Sequence, residues 1–598
     1  MTGWTRRDLL RSAGAAGIAA ALPGPAWAGQ VADPSARLRA AIAASDRARR
    51  ALDPLGTLRQ GLPLAGPAFV DPLGDDYADA VARSAASDQE ALDDIDRAAL
   101  SNVDAIAYDV LRYRAVQTLD AARSGLADVQ RRAPLNASFG LHLDFPDYVV
   151  TRAPQLATPA DHALMLAQMA GFAGHLRSIT MRLREGVADG YVESQVVAAN
   201  VLRQLDAMLE TPLEQSPFMA PVRQLPEGLA EERPQLDARY RATIEREIRP
   251  GLAAWRAYLA EDYLPRTTRA PGRWAMKDGR ALYASELVRH TTTSDSADEI
   301  HRLGRAEVER IRGEMERTRT EIGFSGDLPA FFAHIRTDPR FYHRRQEDLI
   351  AHFERIEERI WDGMPRLFGR RPRAPFEVRP LPALGGQRGT GYYRAGPADG
   401  SGPGILYFNM AMLDTRPIPT METLTLHEGI PGHHYQISLV QEDTALPDLL
   451  RFGSVTAFSE GWGLYAESLG RELGLFEDPY QWFGHLDMEM LRAVRLVVDT
   501  GLHDKEWSRQ QAIDYMLANT SMAPRDVEVE IDRYISIPGQ ACAYKMGELK
   551  ILDLRRRANA RLGGRFDIRA FHDQVIGTGA LPLAILDDKI MRWAGAAA

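Results

Sequence analysis

The stretch Pro375–Met410, PFEVRPLPALGGQRGTGYYRAGPADGSGPGILYFNM, is the one place in 598 residues where the helical rhythm breaks. Short β-prone runs (FEVRPL, GYYR, GILYFNM) alternate there with glycine-rich turns, which predicts a small antiparallel sheet with flexible connections. On both sides the patterns are helical. Ala36–Leu52, Asp75–Ser124, Pro159–Glu185, Glu231–Tyr263, Ser296–Ile322 and Arg344–Arg366 carry apolar residues at three- and four-residue spacing. Thr293-Ser294-Asp295, with Glu299 following, resembles a helix start with acidic residues in its first turn. After Thr420 helical patterns continue to the end. The expected fold is therefore mainly α: a large helical, metallopeptidase-like body with a small antiparallel β-sheet beside one functionally loaded helix.

That helix follows the sheet directly. Thr423–Gln436 reads TLTLHEGIPGHHYQ, placing three of the 14 histidines, His427, His433 and His434, within eight residues and Glu428 beside the first. A metallopeptidase helix normally carries histidines at i and i+4, one turn apart on one face, with glutamate as base. Position 431, where the second histidine would stand, is Pro431. On a regular helix His433 lies about 240° round from His427, and His434 lies within about 20° of its face but two turns away. Pro431 lacks an amide hydrogen and Gly432 relaxes the backbone, so a looped-out Pro-Gly insertion restores a one-turn relationship. On this reading His427 and His433 face a metal, and His434 is an alternative ligand or faces substrate.

Two histidines need a third protein ligand, usually a carboxylate, with one position left for water. Glu460, in Ser459-Glu460-Gly461-Trp462-Gly463-Leu464-Tyr465-Ala466-Glu467, follows His433 by 27 residues, room for a loop and a second helix. Glu467 lies seven residues further on the same face, placed to orient a ligand.

The ordered set HEGIPGHHYQ, FSEGWGLYAE, RLVVDTGLHDKEW, Asp532-Arg533-Tyr534 and PGQACAYKMG resembles a large bacterial family of exported proteins, the domain of unknown function 885. The family is grouped with gluzincin-type zinc peptidases. The resemblance implies one Zn2+ at His427, His433 and Glu460, with Glu428 as general base.

A tetrahedral oxyanion needs a second electrophile. Arg495, Asp499 and His503 recur at i, i+4 and i+8, either as a structural ion network or with His503 as an oxyanion partner. Tyr534 and Tyr544 flank the Ile537–Gln540 turn as phenolic candidates. Arg533 and Lys545 are candidates for a substrate carboxylate. In the sheet, Ile405–Met410, including Asn409, is the candidate edge for an added substrate strand; the alternative is a sheet that simply caps the helical body. Tyr392, Tyr393 and Arg394 are expected to reach over the cleft.

The chain opens MTGWTRRDLLRSAGAAGIAAALPGPAWAGQ, with three arginines, an apolar run too short to span a bilayer, and Ala26-Trp27-Ala28 in small-x-small form. This resembles a twin-arginine signal, with the periplasm as destination. The expected organisation is the signal at 1–28, an N-terminal helical region at 29–374 and the sheet plus zinc-binding region at 375–598, the last two forming one body around a cleft. Cleavage after Ala28 removes Arg6, Arg7, Arg11 and Asp8 and moves the net charge from −9 to −11. Such a balance gives no footprint for nucleic acid, and no later run is apolar enough to hold a membrane. The lone thiol, Cys542, excludes an intramolecular disulfide and a cysteine metal site, and a buried free thiol is expected.

The leading functional expectation is an exported zinc peptidase acting on short peptides. The alternatives are a zinc amidase on a small non-peptide amide and a non-catalytic, zinc-stabilised binding protein. Glu428 argues against the last, since a structural site needs no base and is usually closed by a fourth protein ligand.

Overall fold

The computed structural model describes residues 33–381 and 391–596; the signal-like segment lies outside them. Helix dominates. Pro34–Leu52 begins on an Asp33 cap, and Ser296 closes a capping box with Glu299 at the start of Ala297–Ile322, within a few residues of the expected start. The run expected over Asp75–Ser124 divides into Asp75–Asp93 and Asn102–Arg123, the second capped by the Ser101 hydroxyl. Such a cap restarts a helix because its oxygen accepts one of the orphan first-turn N–H groups.

The sheet has three strands, β1 (Phe376–Pro380), β2 (Gly391–Arg394) and β3 (Gly404–Phe408), in the order β1-β3-β2. Two expectations change here. The sheet is mixed, because β1 pairs parallel with β3 and only β2 pairs antiparallel with it. The expected edge, β3, is the central strand. Gly404, Ile405, Leu406 and Phe408 are buried, whereas three of the four β2 residues are exposed. A nearly continuous apolar run such as GILYF marks a strand covered on both faces.

Two large apolar clusters fill the body. One joins Phe145, Phe172, Trp255 and Tyr263 to Val494, Val498 and Tyr534; the other joins Leu38, Ile42 and Ile106 to Leu406, Leu426, Trp462 and Leu586. Each takes residues from both sides of position 375. No helix among the described residues is long and apolar enough to cross a membrane.

The site rests on six helices: α1 (Met421–Glu428), α2 (His433–Gln441), α3 (Thr456–Ser468), α4 (Pro479–His503), α5 (Pro524–Ser536) and α6 (Gln540–Leu562). From Phe483 to His503 almost every residue of α4 is buried. Helices α3 and α6 cross at glycines: a Cβ on Gly547 would stand 1.8 Å from the Ala457 carbonyl oxygen, and one on Gly461 would stand 2.4 Å from Gly547. Only hydrogen at these positions permits so close an approach, and this crossing puts Tyr544, one turn before Gly547, within reach of the Glu460 charge.

Candidate metal centre

The HExxH-like segment is two helices. α1 ends at Glu428, the link Gly429-Ile430-Pro431-Gly432 carries a cis Ile430–Pro431 bond, and α2 begins at His433. Two features hold the link. The Trp462 indole N–H donates to the Pro431 carbonyl at 2.8 Å, and a Cβ on Gly432 would stand 1.9 Å from the His427 carbonyl oxygen. The break turns His433 back onto His427, with ring centres 4.6 Å apart and planes at 77°.

Glu460 on α3 completes the group. Its Oε2 lies 3.4 Å from His427 Nε2 and 3.4 Å from His433 Nε2. One donor atom from each of the three residues falls within 4.8 Å of the others, and among the described residues this is the one such group. Donors about 2.0–2.1 Å from a shared tetrahedral zinc stand about 3.3–3.4 Å apart, so the spacing fits that ion.

The same face of α3 carries Glu460, Gly463 and Glu467. A Cβ on Gly463 would stand 2.6 Å from the His427 ring, so the glycine makes the slot that the imidazole fills. Glu467 Oε1 accepts from His427 Nδ1 at 2.7 Å and from Arg492 Nη2 on α4 at 2.8 Å. That bond fixes the tautomer that leaves His427 Nε2 as the ligand atom. Burial alone would lower the His427 pKa, but Glu460 and Glu467 outweigh it and raise it to about 9. Burial likewise opposes ionisation of Glu467, and Arg492 and His427 overcome it to hold the carboxyl below its ordinary value. The group therefore requires positive charge, from protons or from a metal.

His434 lies outside the ligand set. Its Nε2 donates to the Ala374 carbonyl at 3.1 Å, and its Nδ1 accepts from the Tyr393 hydroxyl at 3.1 Å. Burial holds its pKa down to about 4. It ties α2 to the sheet. Glu428, the last residue of α1, is partly exposed, and its charge acts on both His427 and Tyr393.

Of the three oxyanion candidates, one keeps a donor. His503 is fully buried; Nδ1 accepts from the Arg273 N–H at 3.1 Å and Nε2 donates to the Tyr534 carbonyl at 3.0 Å. Tyr534 is also fully buried, donating to Glu530 Oε2 at 2.7 Å and accepting from Arg495 Nε at 2.8 Å. Both are corrected to structural roles, since their polar atoms are committed. The Tyr544 phenol only accepts, from Gln540 at 3.4 Å, while the Arg495 guanidinium covers its ring at 4.5 Å. Burial first, then the Glu460 charge, raise its pKa.

The substrate candidates divide as well. Lys545 is fully buried and paired with Glu489 (2.7 Å), Glu548 (2.8 Å) and Glu307 (3.3 Å), so it has no donor for substrate. Asn409 is buried, its Oδ1 accepting from the Ala411 N–H at 3.2 Å, which makes it the turn that ends β3. Tyr392 is about half exposed, and the Arg394 guanidinium sits 4.9 Å from the Tyr407 ring centre. Arg533 stays partly exposed. Sequence reasoning missed Gly463 and Arg492. Gly463 was legible as the small residue three after Glu460 and four before Glu467; nothing local marked Arg492.

Two solved structures share this architecture. A candidate lipoprotein from Colwellia psychrerythraea is 28% identical, with 95% of this chain and 100% of that chain covered and a TM-score of 0.86. A candidate lipoprotein of unknown function from Shewanella oneidensis, 15% identical over 93% and 99% of the two chains, has the same fold at a TM-score of 0.71. No curated protein matches the chain. The model of the bacterial proteins of unknown function called DUF885 matches residues 58–590, and the chain belongs to that family.

Proposed function

We propose that this protein is an exported, zinc-dependent hydrolase of amide bonds, a metallopeptidase acting on short peptides. The observation that carries the reading is the convergence of His427, His433 and Glu460 at 3.4 Å spacings, with Glu428 directly following the first ligand. When bound, zinc supplies a Lewis acid that polarises a carbonyl and brings the pKa of water down towards 7. Glu428 takes the proton of the attacking water and passes it to the leaving amine. Tyr544 offers its phenolic proton to the developing oxyanion. Glu467 and Arg492 hold the His427 ring so that Nε2 faces the reacting centre.

Peptide binding by strand addition needs an unpaired edge, and among the described residues β2 supplies one where the central β3 does not. Tyr392, Tyr393 and Arg394 on that strand then border the substrate. Export rests on the twin-arginine-like opening together with the candidate lipoproteins among the structural neighbours, with the periplasm as destination.

Metal analysis paired with digestion of a peptide library by wild type and Glu428→Gln tests the reading. About one zinc per chain is expected in both, with hydrolysis falling at least about 10²-fold in the variant. Full activity in the variant would sink the mechanism.

A further inference from the structure

Three residues on α4 and α5, with one on α6, form a polar cluster beside Tyr544 that the hydrolytic chemistry does not use. Arg495 Nη2 and Arg533 Nη2 both donate to Glu530 Oε2, at 3.0 Å and 2.9 Å, and Arg533 Nε donates to Oε1 at 3.2 Å. Arg533 Nη1 donates to Gln540 Oε1 at 2.8 Å. Two guanidinium groups thus share a single carboxylate, and the cluster keeps one positive charge. A guanidinium has five N–H donors. Arg533 gives three to protein groups, and Arg495 gives two, with none from its Nη1 to any acceptor among the described residues.

The Arg533 donors are not sealed in apolar core, and the Arg495 side chain behind them is 9% exposed. The Arg533 side chain is 23% exposed and that of Glu530 19%. Nor is the cluster remote from the metal ligands. The Arg495 guanidinium lies over the Tyr544 ring, and the Tyr544 phenol feels the charges of Glu460 and Arg533 alike. Lys545, the other cation near this face, is cancelled by its three carboxylates.

We propose that Arg533 and Arg495 receive the terminal carboxylate of a peptide, so that the protein cleaves short peptides at their carboxyl end. The inference rests on the metallopeptidase reading above. Planar, forked donors are the groups that pair with a carboxylate through two parallel hydrogen bonds. An incoming carboxylate neutralises the cluster, and its neighbouring peptide bond is thereby brought towards Tyr544 and Glu460. Interior positions of a long chain offer no main-chain carboxylate next to the peptide bond.

The test compares one short peptide as free acid and as carboxyl-terminal amide, on zinc-loaded wild type, Arg533→Gln and Arg533→Lys. Wild type is expected to prefer the acid by about 10²-fold in kcat/KM, because the amide leaves charged donors unpaired. The preference should collapse in Arg533→Gln and return in part in Arg533→Lys, which keeps the charge and loses the fork. Binding to Glu428→Gln gives a readout without turnover, with the acid held more tightly than the amide. Equal cleavage and equal binding of acid and amide by proteins without the Arg533 change would overturn the carboxylate inference and leave the peptidase reading standing. Absence of cleavage of every peptide by zinc-loaded wild type would overturn both.

Discussion

Two clusters of buried charge, one around Lys545 on α6 and one around Glu460 on α3, are built in opposite ways. Around Lys545 the cation is part of the chain: one ammonium is met by Glu489, Glu548 and Glu307, and Arg310 joins Glu489 and Glu307. Around Glu460 the donor atoms point at one another, and no permanently charged side chain stands among the three. Two imidazoles and a carboxylate at 3.4 Å are neutralised only by protons or a metal. A buried cluster that contains its own counter-ion is architecture; one made only of donors could hold a cation. His503 and His433 repeat the contrast. Both His503 nitrogens are spent on backbone groups, whereas His433 Nε2 faces Glu460 and its Nδ1 has no partner among the described residues.

The largest effect is expected at His433→Ala. It should abolish zinc retention and hydrolysis while the metal-free fold persists, as read by metal analysis and circular dichroism. A variant that keeps one zinc per chain would move the site elsewhere. Lys545→Met should do the reverse. Removing the Lys545 cation, which leaves Glu489 and Glu307 with Arg310 alone and Glu548 without its ion pair, costs about 3–5 kcal/mol, seen in chemical unfolding of metal-free protein, and zinc stoichiometry in the surviving folded fraction should be unchanged.

A pH series separates the two histidines next. Burial holds the His503 pKa down to about 3. The unfolded chain takes up that proton near pH 6.5 and the folded chain does not, so the stability is present above 6.5 and is lost as pH falls towards 3. At about 1.4 kcal/mol per pKa unit the loss amounts to a few kcal/mol. His503→Gln keeps one acceptor and one donor without titrating, so under chelator its unfolding free energy should fall less steeply over that window. An identical slope would remove His503 from the account. The smallest effect is expected at Glu467→Gln, where zinc affinity should weaken about 10–100-fold because His427 loses its anchor. An unchanged Kd would deny Glu467 that role.

Much of the candidate metal site was legible because its signals are local. The histidines sit within one short segment, Pro431 announces the break, and Glu460 and Glu467 share a helical face. His434 shows where locality stops. Its spacing from His427 puts it close to one face of an unbroken helix, and only the sheet, supplying the Ala374 carbonyl and the Tyr393 hydroxyl, removes it from the ligand set. β3 is a similar case, since β-prone runs identify strands but not their order.

Helical class, the Pro-Gly break and the candidate donor set follow from the order of residues alone, because backbone propensity and side-chain chemistry act over a few positions. Which donors meet was decided by packing. Gly463 admits the His427 ring, the Gly461–Gly547 crossing puts Tyr544 within reach of the Glu460 charge, and Arg492 arrives from α4. Those contacts join residues tens of positions apart, and no local pattern encodes them. The same packing spent His503, Tyr534 and Lys545 on the interior and left Arg533 at its edge, since a buried polar group must find partners wherever the fold places it.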